Sequence, residues 1–263
     1  MRKCVAIMYH DVLEEGRRSG FTGNGAERYK LSAGEFELHL AEIRRAVGER
    51  AVRRVDDEEC LDGASPVFLT FDDGGESAAT VAAGALERYG WRGHFFITTD
   101  YIGAPGFLSA SQIRELHRRG HAIGSHSCSH PARISQCGWE PLVREWTESV
   151  RVLSGILGEP VRMASVPGGY HSKTVERAAI EAGIRFLFTS EPTMRTQEAG
   201  NCLVLGRYSI RRGMPPAMAG DFAAGRAGAR WKEALLWNLK KAAKAAGGEY
   251  YLRTRAALLA RKG

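Results

Sequence analysis

Short apolar runs alternate with longer amphipathic segments along most of the chain. The runs are rich in valine, isoleucine and phenylalanine and end at glycine, proline or charged residues, which is typical of buried strands. The segments between them repeat apolar residues at helical spacing. This alternation predicts one α/β domain with a barrel-type parallel sheet of seven strands. The predicted strands cover residues 4–9, 66–71, 92–98, 122–125, 161–166, 184–189 and 202–210.

Local signals mark where several helices begin and end. Ser32 and Ser109 each stand three residues before a glutamate or glutamine, and this spacing predicts capping boxes at two helix N-termini. The charged, irregular segments 14–30 and 50–65 are predicted to be loops that shape specificity. Three further helices, each followed by a glycine, are predicted over residues 77–89, 139–157 and 172–182.

The character of the chain changes after Gly220. Residues 226–263 hold ten lysines and arginines against two glutamates, whereas the whole chain has a net charge of +7, so the rest is nearly neutral. We therefore predict a catalytic domain over residues 1–220 and a basic, amphipathic, helical tail over residues 221–263, which packs on the barrel or on a membrane surface. Trp237 falls on the basic side, which favours a membrane interface. The apolar face of the tail comprises Trp231, Leu235, Leu239, Ala242, Ala243 and Ala246, with Lys240, Lys241 and Lys244 opposite.

Composition and charge exclude several classes of protein. No apolar run is long enough for a membrane-spanning helix, and the first run breaks at His10, which predicts a strand rather than a signal peptide. Five scattered cysteines with no Cys-x-x-Cys pair argue against disulfides and against a structural zinc knuckle. The nearly neutral body predicts no nucleic-acid partner. These features predict a cytoplasmic protein, with contact to an anionic membrane limited to its tail.

The central predicted strand ends in two adjacent acids. Residues 67–71 are apolar or β-branched, and Asp72, Asp73 and then two glycines follow them. Two other predicted strands end in candidate groups, His126 with His130 and the Pro167–Gly169 turn. In a parallel barrel the carboxyl ends of all strands lie on one rim, so we expect these groups to meet there.

The residue types at this rim are suited to metal-assisted hydrolysis. His126 and His130 are four residues apart, so their imidazoles can share one metal with a single carboxylate and leave coordination positions open. Such a metal polarises an amide carbonyl and activates water, while the second carboxylate takes a proton. The backbone N–H groups of Gly168 and Gly169 are candidates for binding the oxyanion. Tyr170 either stacks on a sugar ring or only lines the loop.

Two motifs carry a resemblance to a known family. The Thr70–Gly74 stretch and the His126-Ser127-x-x-His130-Pro131 stretch resemble the first two motifs of the polysaccharide deacetylases, the carbohydrate esterases with a NodB homology domain. The resemblance covers roughly residues 5–212. It implies a distorted (β/α)7 barrel that uses Zn²⁺, or another divalent transition metal, to remove acetyl groups from N-acetylated sugars. It also implies that Asp72 is the general base and that Asp73, His126 and His130 are the zinc ligands.

The sequence departs from that family at two supporting positions. The third motif usually carries an arginine that pairs with the catalytic aspartate, and Ser165 stands there instead. Arg207, Arg211 and Arg212 are the candidates to replace it.

No histidine follows His171 to serve as the usual C-terminal general acid. His10, at the end of the first strand, resembles the acid of the circularly permuted poly-N-acetylglucosamine deacetylase branch, and His171 is the alternative. Four other histidines, which we interpret as structural or solvated, are His39, His94, His117 and His121.

Three functions are compatible with these features. The first is a metal-dependent N-deacetylase acting on the amino sugars of a polysaccharide or of a lipid-linked glycan. The second is a cyclic amide or imide hydrolase on the same barrel. The third is a catalytically inactive carbohydrate-binding barrel, which the loss of the arginine at Ser165 keeps open. The complete set of two aspartates and two histidines favours an enzyme.

Overall fold

The structure, a computed structural model, describes residues 3–48, 52–57 and 65–239. Its main feature is a curled nine-stranded sheet in the order β11-β1-β4-β5-β6-β7-β8-β10-β9, in which only β9 runs antiparallel to its neighbour. The central strands are buried, because helices cover the sheet, whereas the edge strand β9 is largely exposed. They are β1 (Val5–Tyr9), β4 (Val67–Phe71), β5 (His94–Ile97), β6 (Ala122–Ser125), β7 (Met163–Ser165), β8 (Phe186–Phe188), β9 (Gln197–Ala199), β10 (Cys202–Leu205) and β11 (Tyr208–Ser209).

The last predicted strand, residues 202–210, is divided into two strands by a bend. Its first part, β10, pairs with β8, and its second part, β11, pairs with β1. Gly206 lies at the bend because the backbone of Glu191 and the Thr193 side chain occupy the space that a Cβ would need. The bent strand therefore connects the two ends of the curled sheet, and Arg207 follows directly after the bend. Apart from this division and the additional edge strand β9, the predicted distorted barrel of seven strands is confirmed.

The helices lie on the outer face of the sheet, and the local signals locate several of them correctly. Both predicted capping boxes are present, at Ser32 and Ser109. The predicted helix over residues 77–89 is irregular, with a π-helical turn at Ala78–Ala82 before an α-helical part. The helices are α1 (Asn24–Glu27), α2 (Ala33–Val47), α3 (Ala83–Glu87), α4 (Ala110–Arg118), α5 (Trp139–Leu157), α6 (Lys173–Glu181) and α7 (Pro216–Ala223).

The predicted loop over residues 14–30 contains some regular structure. It includes the short helix α1 and lies between two short parallel strands, β2 (Val12–Leu13) and β3 (Leu31–Ser32). Lys30, at its end, is buried and pairs with Glu27 at 2.7 Å. The second predicted loop, residues 50–65, is described only in part, over residues 52–57 and at 65. Cys60 lies outside the described residues.

A helix over residues 227–239 follows α7 and packs on the barrel. Its inner face carries Glu233, which is buried and accepts a hydrogen bond from Arg211 at 2.6 Å, and Trp237, which contacts the loop after β7. The predicted apolar face points the other way, with Trp231 76%, Leu235 61% and Leu239 59% exposed. The helix therefore packs through the face opposite to the apolar one. The remaining predicted tail residues, from Lys240 onward, lie outside the described part of the chain.

Helices that could cross a membrane were sought in the described ranges. Within residues 3–48, 52–57 and 65–239, none combines the necessary length with sufficient apolar character.

Candidate active site

Asp72 and Arg207 form a buried ion pair at the carboxyl end of β4. The two guanidinium NH groups of Arg207 donate to the two carboxylate oxygens of Asp72, at 2.7 and 2.8 Å. Arg207 Nε donates to the carbonyl oxygen of Thr189, and its Nη1 also contacts the Thr70 hydroxyl. Arg207 is 0% exposed, so the pair lies in a region of low polarity where such bidentate bonds are strong. Arg207 is one of the three arginines that were predicted from the sequence as partners of Asp72.

The other two candidate arginines lie away from Asp72. Arg211 is paired with Glu233 of the C-terminal helix. Arg212 lies close enough to Glu35 for its charge to lower the pKa of that carboxyl group, after the larger effect of a hydrogen bond from the Ser32 backbone. Both follow β11, beyond the point where the bent strand passes Asp72.

Ser165 links Asp72 to a histidine. Its hydroxyl donates to Asp72 Oδ1 at 3.0 Å and lies 2.6 Å from His126 Nδ1. Because the ionised carboxylate can only accept, the hydroxyl proton points to Asp72, and Ser165 Oγ accepts a hydrogen bond from Nδ1. Nδ1 therefore donates to Ser165, and Nε2 is the His126 nitrogen that could bind a metal.

Asp73, His126 and His130 converge beside this ion pair. Asp73 Oδ1 lies 3.4 Å from His126 Nε2 and 3.7 Å from His130 Nε2. One potential ligand atom of each residue falls within 4.8 Å of the others. Two imidazole nitrogens and one carboxylate oxygen are a donor set suited to Zn²⁺ and to similar divalent metals. The Nε2 atom of His126 also fits such an ion, so these three residues could hold one.

The backbone at these residues is unusual. Asp73, Ser127 and His130 are the non-glycine residues with positive φ in the described part of the chain, at 77°, 62° and 55°. Residues other than glycine adopt this region at a cost, and such positions cluster at functional sites. Two of the three are candidate metal ligands, and the third lies between the two histidines.

Glu145 of α5 holds the loop between the two histidines. Its Oε2 accepts hydrogen bonds from the backbone N–H groups of Cys128 and Ser129, both at 2.9 Å, and its Oε1 accepts one from the Ser129 hydroxyl at 2.7 Å. Sequence reasoning missed this residue. Its only local signal is a position on the inner side of the helix that follows the second motif.

Charge around the site keeps both aspartates ionised. Burial would raise the pKa of Asp72, but the charges of Arg207 and His126 hold this pKa well below its usual range. Burial acts in the same direction on Asp73, whose pKa is lowered by its contact with His126 and by the charge of His10. Asp72 can therefore accept hydrogen bonds, or a proton, over the whole range near neutral pH.

His10 lies close enough to both carboxylates for its charge to lower the pKa of each. Its ring stacks on Tyr29 with centroids 4.6 Å apart. Its buried Nδ1 has no hydrogen-bond partner among the described residues. His171, the alternative acid, instead contacts Glu176 at 3.2 Å.

The loop after β7 begins at Ser165 and therefore leaves directly from the site. Gly168 and Gly169 both have positive φ, which allows the tight turn over Pro167–Gly169. A Cβ on Gly169 would lie 3.1 Å from the Trp237 ring of the C-terminal helix. Tyr170 is half-buried and packs against the neighbouring core.

The chain is similar to several known proteins. A family model described as polysaccharide deacetylase matches residues 62–187. A Bacillus subtilis (strain 168) protein named as a polysaccharide deacetylase, YxkH, is 25% identical over 158 residues, or 59% of this chain and 55% of that protein. The chitooligosaccharide deacetylase of Sinorhizobium fredii (strain NBRC 101917 / NGR234) is 31% identical over 124 residues, or 46% of this chain and 55% of that protein. The chain thus spans just over half the length of these curated relatives.

A solved structure resembles a larger part of the chain. The Streptococcus pyogenes deacetylase PplD, in complex with acetate, has a TM-score of 0.67 at 20% identity and covers 81% of this chain and 95% of its own. At that identity the likeness concerns the fold, and it agrees with the predicted barrel. The family match includes both motifs that bring the aspartates and histidines together. Over residues 62–187, the chain is therefore similar to the polysaccharide deacetylases.

Proposed function

We propose that this chain is a metal-dependent hydrolase that removes N-acetyl groups from the amino sugars of a glycan. The observation that carries the proposal is the pairing of two adjacent aspartates with different partners. Asp72 is bound by Arg207, whereas Asp73 faces His126 and His130. One carboxylate is thus available as a base beside a site that the other helps to form.

Each residue has one step in the proposed reaction. A divalent cation, when bound by Asp73, His126 and His130, supplies Lewis-acid polarisation of the amide carbonyl and lowers the pKa of a water. Asp72 takes the proton of the attacking water, and Arg207 and Ser165 fix its orientation. The backbone N–H groups of Gly168 and Gly169 donate to the developing oxyanion. His10 donates a proton to the nitrogen of the departing amine, and the effect of its charge on both aspartates supports this role.

Acetate release from a panel of N-acetylated sugars tests the proposal. The panel should begin with chitooligosaccharides, since one relative is named for that substrate. The protein should be assayed after chelation and again after addition of Zn²⁺, with Asp72→Asn as the inactive control. We expect acetate only from the metal-loaded wild type. Ring-opened product from cyclic imides without acetate would favour the second hydrolase, and absence of both would favour a binding barrel.

We further propose that the C-terminal helix contacts an anionic membrane, which would suit a lipid-linked glycan. Support comes from the outward stripe of Trp231, Leu235 and Leu239 on a segment that is rich in lysine and arginine. Co-sedimentation with vesicles of anionic lipid at low salt tests this contact, and Leu235→Asp should reduce it. Equal sedimentation of both proteins would refute it. A cytoplasmic location remains a prediction.

A further inference from the structure

Asp11 is a buried carboxylate that the proposed reaction does not use. It follows β1 and is 3% exposed. Its Oδ1 accepts hydrogen bonds from the hydroxyls of Ser19, at 2.5 Å, and Ser77, at 2.7 Å. Ser19 Oγ also accepts from the Ser77 backbone N–H at 2.8 Å. Asp11 thus joins the end of the first strand to two segments that are distant in sequence.

Two glycines make room for this carboxylate. A Cβ on Gly20 would overlap Asp11 Oδ2, and a Cβ on Gly75 would overlap Asp11 Oδ1. Gly75 belongs to the turn that follows the two catalytic-motif aspartates. The Gly20 N–H in turn donates to the carbonyl oxygen of Gly106 at 2.8 Å. The segment around Gly20 is therefore held on the rim of the barrel by two contacts, its packing against Asp11 and its hydrogen bond to Gly106.

Phe21, the next residue, lies beside the candidate metal site. Its ring centroid is 5.1 Å from that of His130. It also contacts Tyr101 and Phe107 edge-on, at 4.8 and 5.1 Å. All three aromatic rings are half-buried, so each keeps part of its surface open. Together they form a partly exposed apolar surface next to a metal ligand.

From these contacts we infer that Phe21 is a substrate-binding residue that stacks on a sugar ring of the glycan, and that Asp11 is the positioning residue that holds it there. The apolar face of a pyranose ring, with its axial C–H bonds, is complementary to an exposed aromatic face. A phenylalanine that only filled the core would not need to lie beside a candidate metal ligand, or to follow a segment that a buried carboxylate holds in place. The inference rests on the proposed function, since it assumes that the ligand is a glycan.

Substitutions of Phe21 separate stacking from packing. Phe21→Leu keeps an apolar side chain of similar size, whereas Phe21→Trp keeps an aromatic face. Binding of an N-acetylated chitooligosaccharide should be measured by calorimetry in the Asp72→Asn background, together with Zn²⁺ affinity. We expect Phe21→Leu to weaken glycan binding about tenfold, which corresponds to the burial of one aromatic face, while Phe21→Trp restores it and Zn²⁺ affinity is unchanged.

The same measurements test Asp11 and distinguish the two levels of inference. Asp11→Asn should weaken glycan binding without changing Zn²⁺ affinity, and Leu38→Ala, on the exposed side of α2, is the control. If wild type releases acetate but Phe21→Leu binds glycan normally, or if it loses Zn²⁺ affinity, the role of Phe21 is refuted alone. If wild type releases no acetate but glycan binding depends on Phe21, the proposed hydrolase is refuted and the binding site stands.

Discussion

Arg207 is a charged side chain without solvent contact, and it has four hydrogen bonds to Thr70, Asp72 and Thr189. Its Cζ also lies 5.7 Å from the centre of the Phe96 ring. A buried charge is tolerated when it is paired and hydrogen-bonded, and four of the five N–H groups of Arg207 have such partners. The same pairing leaves Asp72 ionised, because the positive charge offsets the effect of burial on its pKa.

Removal of Arg207 should therefore affect stability as well as activity. Arg207→Ala leaves the carboxylate of Asp72 buried without its main partner, and we expect a loss of about 3–5 kcal/mol in the free energy of unfolding. Urea denaturation measures this loss, with Arg212→Ala as the matched control. The double variant Asp72→Asn with Arg207→Ala should recover part of the stability. An unchanged unfolding midpoint in Arg207→Ala would contradict this account.

Substitution of Glu145 should change the affinity of the candidate site for a metal rather than the environment of Asp72. Glu145→Ala removes three hydrogen bonds from the loop that carries His126 and His130, so their separation is less well fixed. Because partners of this kind typically contribute 10–100-fold, we expect a loss of about that size in Zn²⁺ affinity. Competition with a chelator measures it. Glu148→Ala, on the exposed side of α5, is the control, and equal affinity in all three proteins would rule the role out.

Sequence patterns predicted the principal residues of the site and named Arg207 among the candidate partners of Asp72, but they did not predict the contacts of Ser165 and Glu145. Asp72, Asp73, His126 and His130 could be placed together because each follows a strand end, and parallel strands present those ends on one rim. Ser165, read as the loss of an arginine, instead bonds both Asp72 and His126. These two bonds span 93 and 39 residues of the chain, and no local pattern specifies such contacts. Whether these residues perform the proposed steps stays a prediction.

The bent last strand is the element that most affects the site. Its two halves pair with β8 and with β1, so the bend lies where the ends of the sheet meet. Periodicity predicted a single strand over residues 202–210, because apolar or aromatic residues stand on both sides of Gly206 and Arg207. The bend depends on the neighbouring segment near Glu191, which periodicity cannot show. The capping boxes at Ser32 and Ser109 were predictable because all their atoms lie within four residues.

Gly206→Ala tests the importance of the bend. The added Cβ would overlap the carbonyl oxygen of Glu191, so the strand or that segment must shift. Because Arg207 is the next residue, its contact with Asp72 should be disturbed as well. We expect lower acetate release and a destabilisation of about 1–3 kcal/mol, as is usual for overpacking. Gly84→Ala, at a position with free space on α3, should leave acetate release unchanged and should not lower stability, because alanine favours the helix over glycine.

At the scale of the whole molecule, two buried histidines connect stability to pH. His94 donates from Nδ1 to the carbonyl oxygen of Leu69 and accepts at Nε2 from the Val55 N–H, so it is held neutral. Burial lowers the pKa of His94 to about 4, and burial likewise lowers the pKa of His121 to about 4. Of the two interpretations that the sequence allows for these histidines, structural or solvated, their burial supports the structural one.

Stability should therefore fall as the pH decreases from about 6.5 to 4. In this window the unfolded chain takes up protons at both histidines whereas the folded chain does not, so the free energy of unfolding rises with pH. For His94 the difference amounts to roughly 3 kcal/mol. Urea unfolding at several pH values, with a chelator present, measures the slope. His94→Gln should flatten it, and His117→Gln, at a partly exposed position, should not; identical slopes would count against His94.

The three positive-φ residues of the site have a consequence for how such a chain changes over time. Asp73, Ser127 and His130 each hold a conformation that costs non-glycine residues about 1 kcal/mol or more. Selection for stability alone would replace them with glycine or asparagine. In a descendant that no longer needs the proposed reaction, these positions would be among the first to be substituted. The barrel would become more stable as the site was lost.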